Sequence, residues 1–234
     1  MRVENQLAFI LHHYPYRDTS QILDLLTKDF GRLSVVSRGS LSARSKSKSV
    51  LQPFRLLNIS WVGKGDMPTL INAELADVNP VLLDGSKLTS GFYLNELLMH
   101  FLHRHDVQED IFQLYVNTVS RLSTDTSLEI ILRLFEKQLL SDLGLGLNLT
   151  HDADSGEPVK AGKQYIFYVE HGPVLAMSQD MVSQRPLLSG ESLLAFSRDE
   201  LESEILRREI KLLMRHVLAF YLAGKPLKSR ELFR

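Results

Sequence analysis

The chain has 234 residues, of which 44% are hydrophobic, with 27 Lys and Arg against 28 Asp and Glu and no cysteine. That composition supports one or two domains with sizeable cores and argues against a disordered or collagen-like chain. Zero cysteines exclude a disulfide framework, a thiolate zinc site, an iron–sulfur cluster and a cysteine nucleophile.

The first 80 residues read as β structure. Apolar or alternating runs at 7–11, 22–26, 33–36, 54–62 and 69–75 are separated by the turn-prone pieces Tyr14-Pro15, Asp29-Phe30-Gly31 and Gly63-Lys64-Gly65-Asp66. Five short strands predict a small closed barrel of the OB type, a shape that binds single strands along an open face. Residues 37–49 interrupt it with six serines and four bases, and only Leu41 and Ala43 are apolar there. Such a segment buries too little to order itself, so a mobile basic arm is expected.

From Lys87 the spacing turns helical. Leu94, Leu97, Leu98, Phe101 and Leu102 form one stripe and Ile111, Leu114, Tyr115 and Val119 a second. A third helix is predicted from a capping-box-like Thr126-Ser127-Leu128-Glu129 to a stop at Gly144. The polar interval 148–164 reads as a loop, and Tyr165 to Met177 as a small hairpin turned at Gly172-Pro173. A last helix over about 198–222 gathers Leu206, Ile210, Leu213 and Val217 in one arc and Arg207, Arg208, Lys211 and Arg215 opposite. The expected class is therefore α+β: a barrel over 1–80, then a mainly helical domain over 81–234 with loop and hairpin at about 148–178.

The formal net charge of -1 hides a segregation. Residues 28–64 hold eight Lys and Arg against one acid, and residues 207–234 hold eight against two, around an acidic middle. Local positive fields attract phosphate whatever the total charge. Arg44, Lys46 and Lys48 have no nearby acid in sequence, which points the arm at a phosphate backbone.

Catalytic constellations fail. Leu143-Gly144-Leu145-Gly146 follows a helix where a dinucleotide motif precedes one, Gly224-Lys225 lacks the phosphate-loop spacing, and no nucleophile elbow is present. Glu96, His100 and His103 share a helical face at i, i+4 and i+7, but histidines beside Phe101 and Leu102 are better read as packed side chains than as metal ligands. The carboxylates are too scattered for a two-metal nuclease. No stretch approaches the roughly 18 to 20 apolar residues of a membrane span, and residues 1–11 lack a secretory pattern. A cytoplasmic, non-enzymatic protein with no cofactor or metal is expected.

Several strings resemble the bacterial recombination mediator family RecO: Ala8-Phe9-Ile10-Leu11-His12, the turn from Tyr14 to Ser20, Gly31-Arg32, Arg38-Gly39, Leu51-Gln52-Pro53-Phe54, Tyr93-Leu94-Asn95-Glu96-Leu97, Arg133 to Glu136 with Leu143-Gly144, and Gly224-Lys225-Pro226-Leu227-Lys228-Ser229-Arg230. The likeness runs almost end to end. It implies an N-terminal OB barrel and a helical C-terminal part. It implies binding of single- and double-stranded DNA, annealing of complementary strands, and work with RecR to load RecA onto strands coated by single-stranded-DNA-binding protein. It also implies that the acidic, Phe-terminated tail of that coating protein is held by a helical arginine, which falls at Arg133, with Leu132 and Phe135 to receive the ring. A four-cysteine zinc module of some relatives is missing here, so no zinc is carried over. The phosphate-binding set expected from charge is Arg32, Arg38, Arg44, Lys46 and Lys48 on the barrel and its arm, with Arg207, Arg208, Lys211 and Arg215 on the last helix. A scaffold that binds acidic protein tails without touching DNA is the rival reading.

Overall fold

The computed structural model describes residues 1–42, 45–76, 81–177 and 185–233. Strands β1 (Arg2–Tyr16), β2 (Ser20–Thr27), β3 (Gly31–Ser37), β4 (Leu57–Val62) and β5 (Thr69–Leu75) match the five expected runs, but β1 is much longer than 7–11: Tyr14-Pro15 does not turn and pairs with Ile22 and Gln21, the turn falling at 17–19. They close into a barrel in the order β1-β2-β3-β5-β4. Neighbours are antiparallel except β3 and β5, which meet in parallel at Val36 and Thr69.

Period-two alternation explains the core. Leu23 and Leu25 of β2, Leu33 and Val35 of β3, and Leu57, Ile59 and Trp61 of β4 point inward with Ala8 and Ile10, and Leu51 packs with them. The outer face of β1 is buried as well, under two helices, α1 (Gly85–Phe101) and α2 (Glu109–Thr124). Phe9 meets the Tyr115 ring edge-on at 4.9 Å and Phe112 at 5.9 Å.

One string of α1 ties this region together. Asn95 is buried, donates from Nδ2 to the Leu11 carbonyl at 2.9 Å, and accepts at Oδ1 from the Tyr115 hydroxyl at 2.5 Å. Next to it, Glu96 accepts the backbone N–H groups of Lys228 and Ser229 at 2.8 and 2.9 Å and the Ser229 hydroxyl at 2.5 Å. Burial would raise the Glu96 pKa, but these hydrogen bonds and nearby His100 outweigh it and hold the carboxyl below its ordinary range. Glu96 thus supplies an acceptor to the start of the terminal 3-10 turn, Lys228–Phe233, and Leu227 is buried beside it. The strings Tyr93-Leu94-Asn95-Glu96-Leu97 and Leu227-Lys228-Ser229-Arg230, far apart in sequence, form one joint.

Packing divides the chain into two compact units, Met1–Thr126 with Leu227–Arg234, and Ser127–Pro226. Helices α1 and α2, grouped by periodicity with the helical half, share a unit with the barrel because their apolar stripes cover β1. The second unit holds α3 (Leu128–Asp142), α4 (Gly190–Ser197), α5 (Glu204–Tyr221) and a sheet in the order β7-β6-β8, made of β6 (Gln164–Tyr168), β7 (Gly172–Leu175) and β8 (Leu187–Ser189).

Local expectations needed correcting at several places. Ser127 caps α3 without a side-chain cap bond, so the capping box is not formed. The hairpin turns through Val169, Glu170 and His171, with Glu170 at φ 67°, and Gly172-Pro173 belongs to β7. The last helix starts at Glu204 rather than 198, because Asp199 at φ 63° ends α4 first. Residues 148–164 are not a bare loop. Buried Asp152 accepts at Oδ1 from the Ser155 N–H and hydroxyl (2.8 and 2.9 Å) and the Asp154 N–H (3.1 Å), and at Oδ2 from the Leu175 N–H (2.7 Å). Burial opposes the Asp152 charge, but these donors hold its carboxyl below the ordinary range. The serine-rich segment is also partly built. Buried Ser40 donates to the Ser37 carbonyl at 3.0 Å, and Lys46–Ser49 forms a 3-10 turn before Leu51 plugs into the barrel. None of the described helices is long and apolar enough to cross a membrane.

Candidate nucleic-acid interface

The cations expected to meet phosphate separate into two groups by environment. Arg32 is the second residue of β3, after Gly31. That glycine is at φ +64°, and a Cβ there would stand 2.1 Å from the Asp106 carbonyl oxygen, so only glycine lets the strand begin against this backbone. Arg32 is consequently drawn under the end of α1. Its Nη1 donates to the Met99 and Leu102 carbonyls at 2.6 and 3.1 Å, its Nη2 stands 3.9 Å from buried Asp24, and the side chain is 12% exposed. A guanidinium at a helix C-terminus satisfies carbonyls that lack intrahelical partners and opposes the negative end of the dipole. Arg32 leaves the expected phosphate surface and becomes a structural cap.

Six residues on, Arg38 is exposed in the turn that follows β3. This turn is fixed to the β1–β2 turn by the Leu41 N–H, which donates to the Thr19 carbonyl at 2.9 Å. Lys48 is exposed on the 3-10 turn. Neither forms an ion pair among the described residues, so their charge is presented to solvent. Arg44 lies outside the described residues, as does the side chain of Lys46.

The face of α5 divides in the same way. Ile210, Leu213, Met214, Val217 and Leu218 are buried and dock the helix within its unit. Arg208 and Arg215, exposed and two turns apart, stand about 10 Å from each other along the axis. They make no ion pair among the described residues. Lys211, between them, pairs with Glu129 of α3 at 2.8 Å while remaining partly exposed. Arg207 bends back to donate to the Glu202 carbonyl at 2.8 Å.

The α3 string is organised differently from the reading made on it. Arg133 is 8% exposed, and its Nη2 holds Glu136 Oε1 at 2.6 Å on a fully buried carboxylate. Leu132 and Phe135, expected to receive an aromatic ring, are core residues, Phe135 completely so. The i, i+3 pair closes over itself, and Arg133 Nε is left without a hydrogen-bond partner. An open carboxylate receptor is not what these side chains form. The metal reading at α1 also lacks its geometry: the helix ends at Phe101, so His103 falls off the shared face, and Glu96 is occupied by the C-terminal segment. Among the described residues no group of three or more His, Asp or Glu could hold a metal ion.

A row of rings on β1, separated from β3 by β2, carries no fixed charge and was not among the residues expected to bind. Past the register shift in β1, His12 and Tyr14 pair with Asp24 and Ile22 of β2, and Tyr16 with Ser20. The rings of His12 and Tyr14 lie 4.3 Å apart, and Arg17 places its guanidinium 5.2 Å from the Tyr16 ring centre. The period-two spacing of His12, Tyr14 and Tyr16 was the available signal.

Comparison with known proteins agrees across the whole length. Residues 1–79 match the family described as "Recombination protein O N terminal", and residues 82–231 match "Recombination protein O C terminal". A protein of Dechloromonas aromatica named DNA repair protein RecO is 40% identical across 100% of this chain and 96% of its own. The proteins of that name from Nitrosococcus oceani (42% identical, 99% of this chain, 93% of its own) and Haemophilus influenzae (41%, 100% and 97%) are similarly close. With a five-stranded barrel followed by helices, and both halves matched, the chain belongs to the RecO family of DNA repair proteins.

Proposed function

We propose that this chain is a non-enzymatic recombination mediator that binds single- and double-stranded DNA, anneals complementary strands and, with RecR, helps load RecA onto strands coated by single-stranded-DNA-binding protein. Family membership supports the repair role. The observation that carries the DNA-binding part is the pairing state of its cations: Arg38 and Lys48 in one unit, and Arg208 and Arg215 in the other, face solvent with no carboxylate partner among the described residues. Lys211 joins them once Glu129 is outcompeted by phosphate. Cationic patches of this kind lower the repulsion between two phosphate backbones held on them, which is what annealing requires.

The expected surface excludes Arg32 and Arg207, whose guanidinium groups are used internally. Recognition of an acidic protein tail at Arg133 requires the Glu136 carboxylate to yield to the incoming one, so tail binding there is coupled to opening of the pair. The test is a titration of a fluorescent single strand, repeated across salt and with tail peptide present. Affinity that drops steeply with salt supports phosphate contact. A flat response, with peptide bound and DNA ignored, favours the scaffold reading.

A further inference from the structure

Three aromatic rings stand toward the turn end of the β1–β2 hairpin. Successive strand residues alternate between faces, so His12, Tyr14 and Tyr16 line one side of β1. Tyr14 is 43% exposed, His12 is exposed and Tyr16 partly so. Aromatic side chains left in water at this density cost the fold apolar burial, and inward-facing Leu23 shows that the barrel core does not need them. The His12 and Tyr14 rings tilt by 38° at 4.3 Å, forming one slab with no room for a further ring between them. Cations accompany the row. Arg17 lies over Tyr16, the turn that carries exposed Arg38 is tied to the β1–β2 turn by the bond from Leu41 to Thr19, and Arg104 stands 3.6 Å from Asp24, the partner of His12 on β2. Asp24, the carboxylate beneath the row, is buried and shared between Arg104, Arg32 and the Ser34 hydroxyl. Asp18, exposed in the same turn, is the acid next to Arg17 in sequence.

We propose that His12, Tyr14 and Tyr16 form a stacking platform for the bases of a single strand, with Arg17 and Arg38 taking its phosphates. This rests on the DNA-binding reading above and deepens it by assigning the barrel unit a preference for unpaired bases. The chemistry decides the occupant. A duplex hides the faces of its bases, so a row of rings gains nothing from it, whereas an unpaired strand offers a face at each nucleotide and a charge between them. From His12 to Arg17 the strand spans roughly 16 Å, enough for a few nucleotides. Burial, and then neighbouring Asp24, raise the Tyr14 pKa, so its ring stays uncharged beside phosphate at neutral pH.

The experiment uses the full chain with fluorescent oligodeoxythymidine and a blunt duplex of equal length. His12→Ala with Tyr14→Ala is expected to weaken single-strand binding at least about fivefold for each ring engaged, leave duplex binding within twofold and leave the salt slope unchanged. Tyr14→Phe keeps the ring and is expected to bind as wild type. Arg17→Ala with Arg38→Ala is expected to reduce the single-strand salt slope by about 1.4, from roughly 0.7 per phosphate. Unchanged single-strand affinity in the ring variant, or equal loss on strand and duplex, overturns the platform while leaving phosphate binding standing. Wild-type protein that binds neither DNA overturns both readings. Should the ring variant unfold, crosslinking of wild type to 5-iodouracil-substituted single strand decides instead: adducts on Tyr14 or Tyr16 support the platform, and adducts confined elsewhere overturn it.

Discussion

Arg32 and Arg38 sit at the two ends of one strand and have opposite fates. At the first end, the close approach of Gly31 to Asp106 and the open carbonyls of α1 draw the guanidinium inward. At the other, a turn faces water and the charge stays available. The second unit repeats the contrast with buried Arg133 against exposed Arg208 and Arg215. A run of bases in a sequence is therefore two populations, one that holds the fold and one that meets a ligand, and perturbations separate them.

The largest effect is expected at the buried pair. Glu136→Ala strands the Arg133 charge in the core and is predicted to destabilise the second unit by about 3 kcal/mol or more, measured by denaturant unfolding. Arg32→Ala removes the donors of two helix-end carbonyls and a partner of Asp24, predicting a loss of about 2 to 3 kcal/mol with the salt slope of DNA binding unchanged. A slope that falls with stability intact would move Arg32 into the ligand-binding population.

Next comes the joint at Glu96. Its pKa is depressed by folding, so its contribution is fully present above the ordinary carboxylate range and is lost as pH falls through the depressed value. Limited proteolysis near Gly224-Lys225 is predicted to speed up on acidification in wild type. Glu96→Gln, predicted to weaken docking by about 1 kcal/mol, would be cleaved faster at neutral pH and show less of that acid response. The smallest stability effect is expected for Arg38→Ala with Lys48→Ala, within about 0.5 kcal/mol, because both side chains are solvated; their loss is predicted in DNA affinity alone.

The barrel was legible because its strands alternate cleanly, and Leu23, Leu25, Leu33 and Val35 announce an inward face without help from distant residues. The limits of the last helix were not, since Asp199 adopts a left-handed backbone that its neighbours do not signal. Nor was the split between Arg32 and Arg38. What distinguishes them is the end of α1, more than 60 residues downstream, so no local window contains the answer. The surroundings of Arg133 were hidden for a related reason: the resemblance names the arginine, and only the packing of Leu132 and Phe135 into the core shows that its pair with Glu136 is buried. The aromatic row on β1 was readable from spacing, but charge drew attention past it.

The salt dependence of single-strand affinity, compared between wild type, Arg38→Ala with Lys48→Ala, and Arg32→Ala, tests the division of cations most directly. Phosphate contact by the exposed pair predicts a slope shallower by up to about 1.4 in the first variant and unaltered in the second. The reverse pattern, or equal slopes in all three proteins, would contradict it.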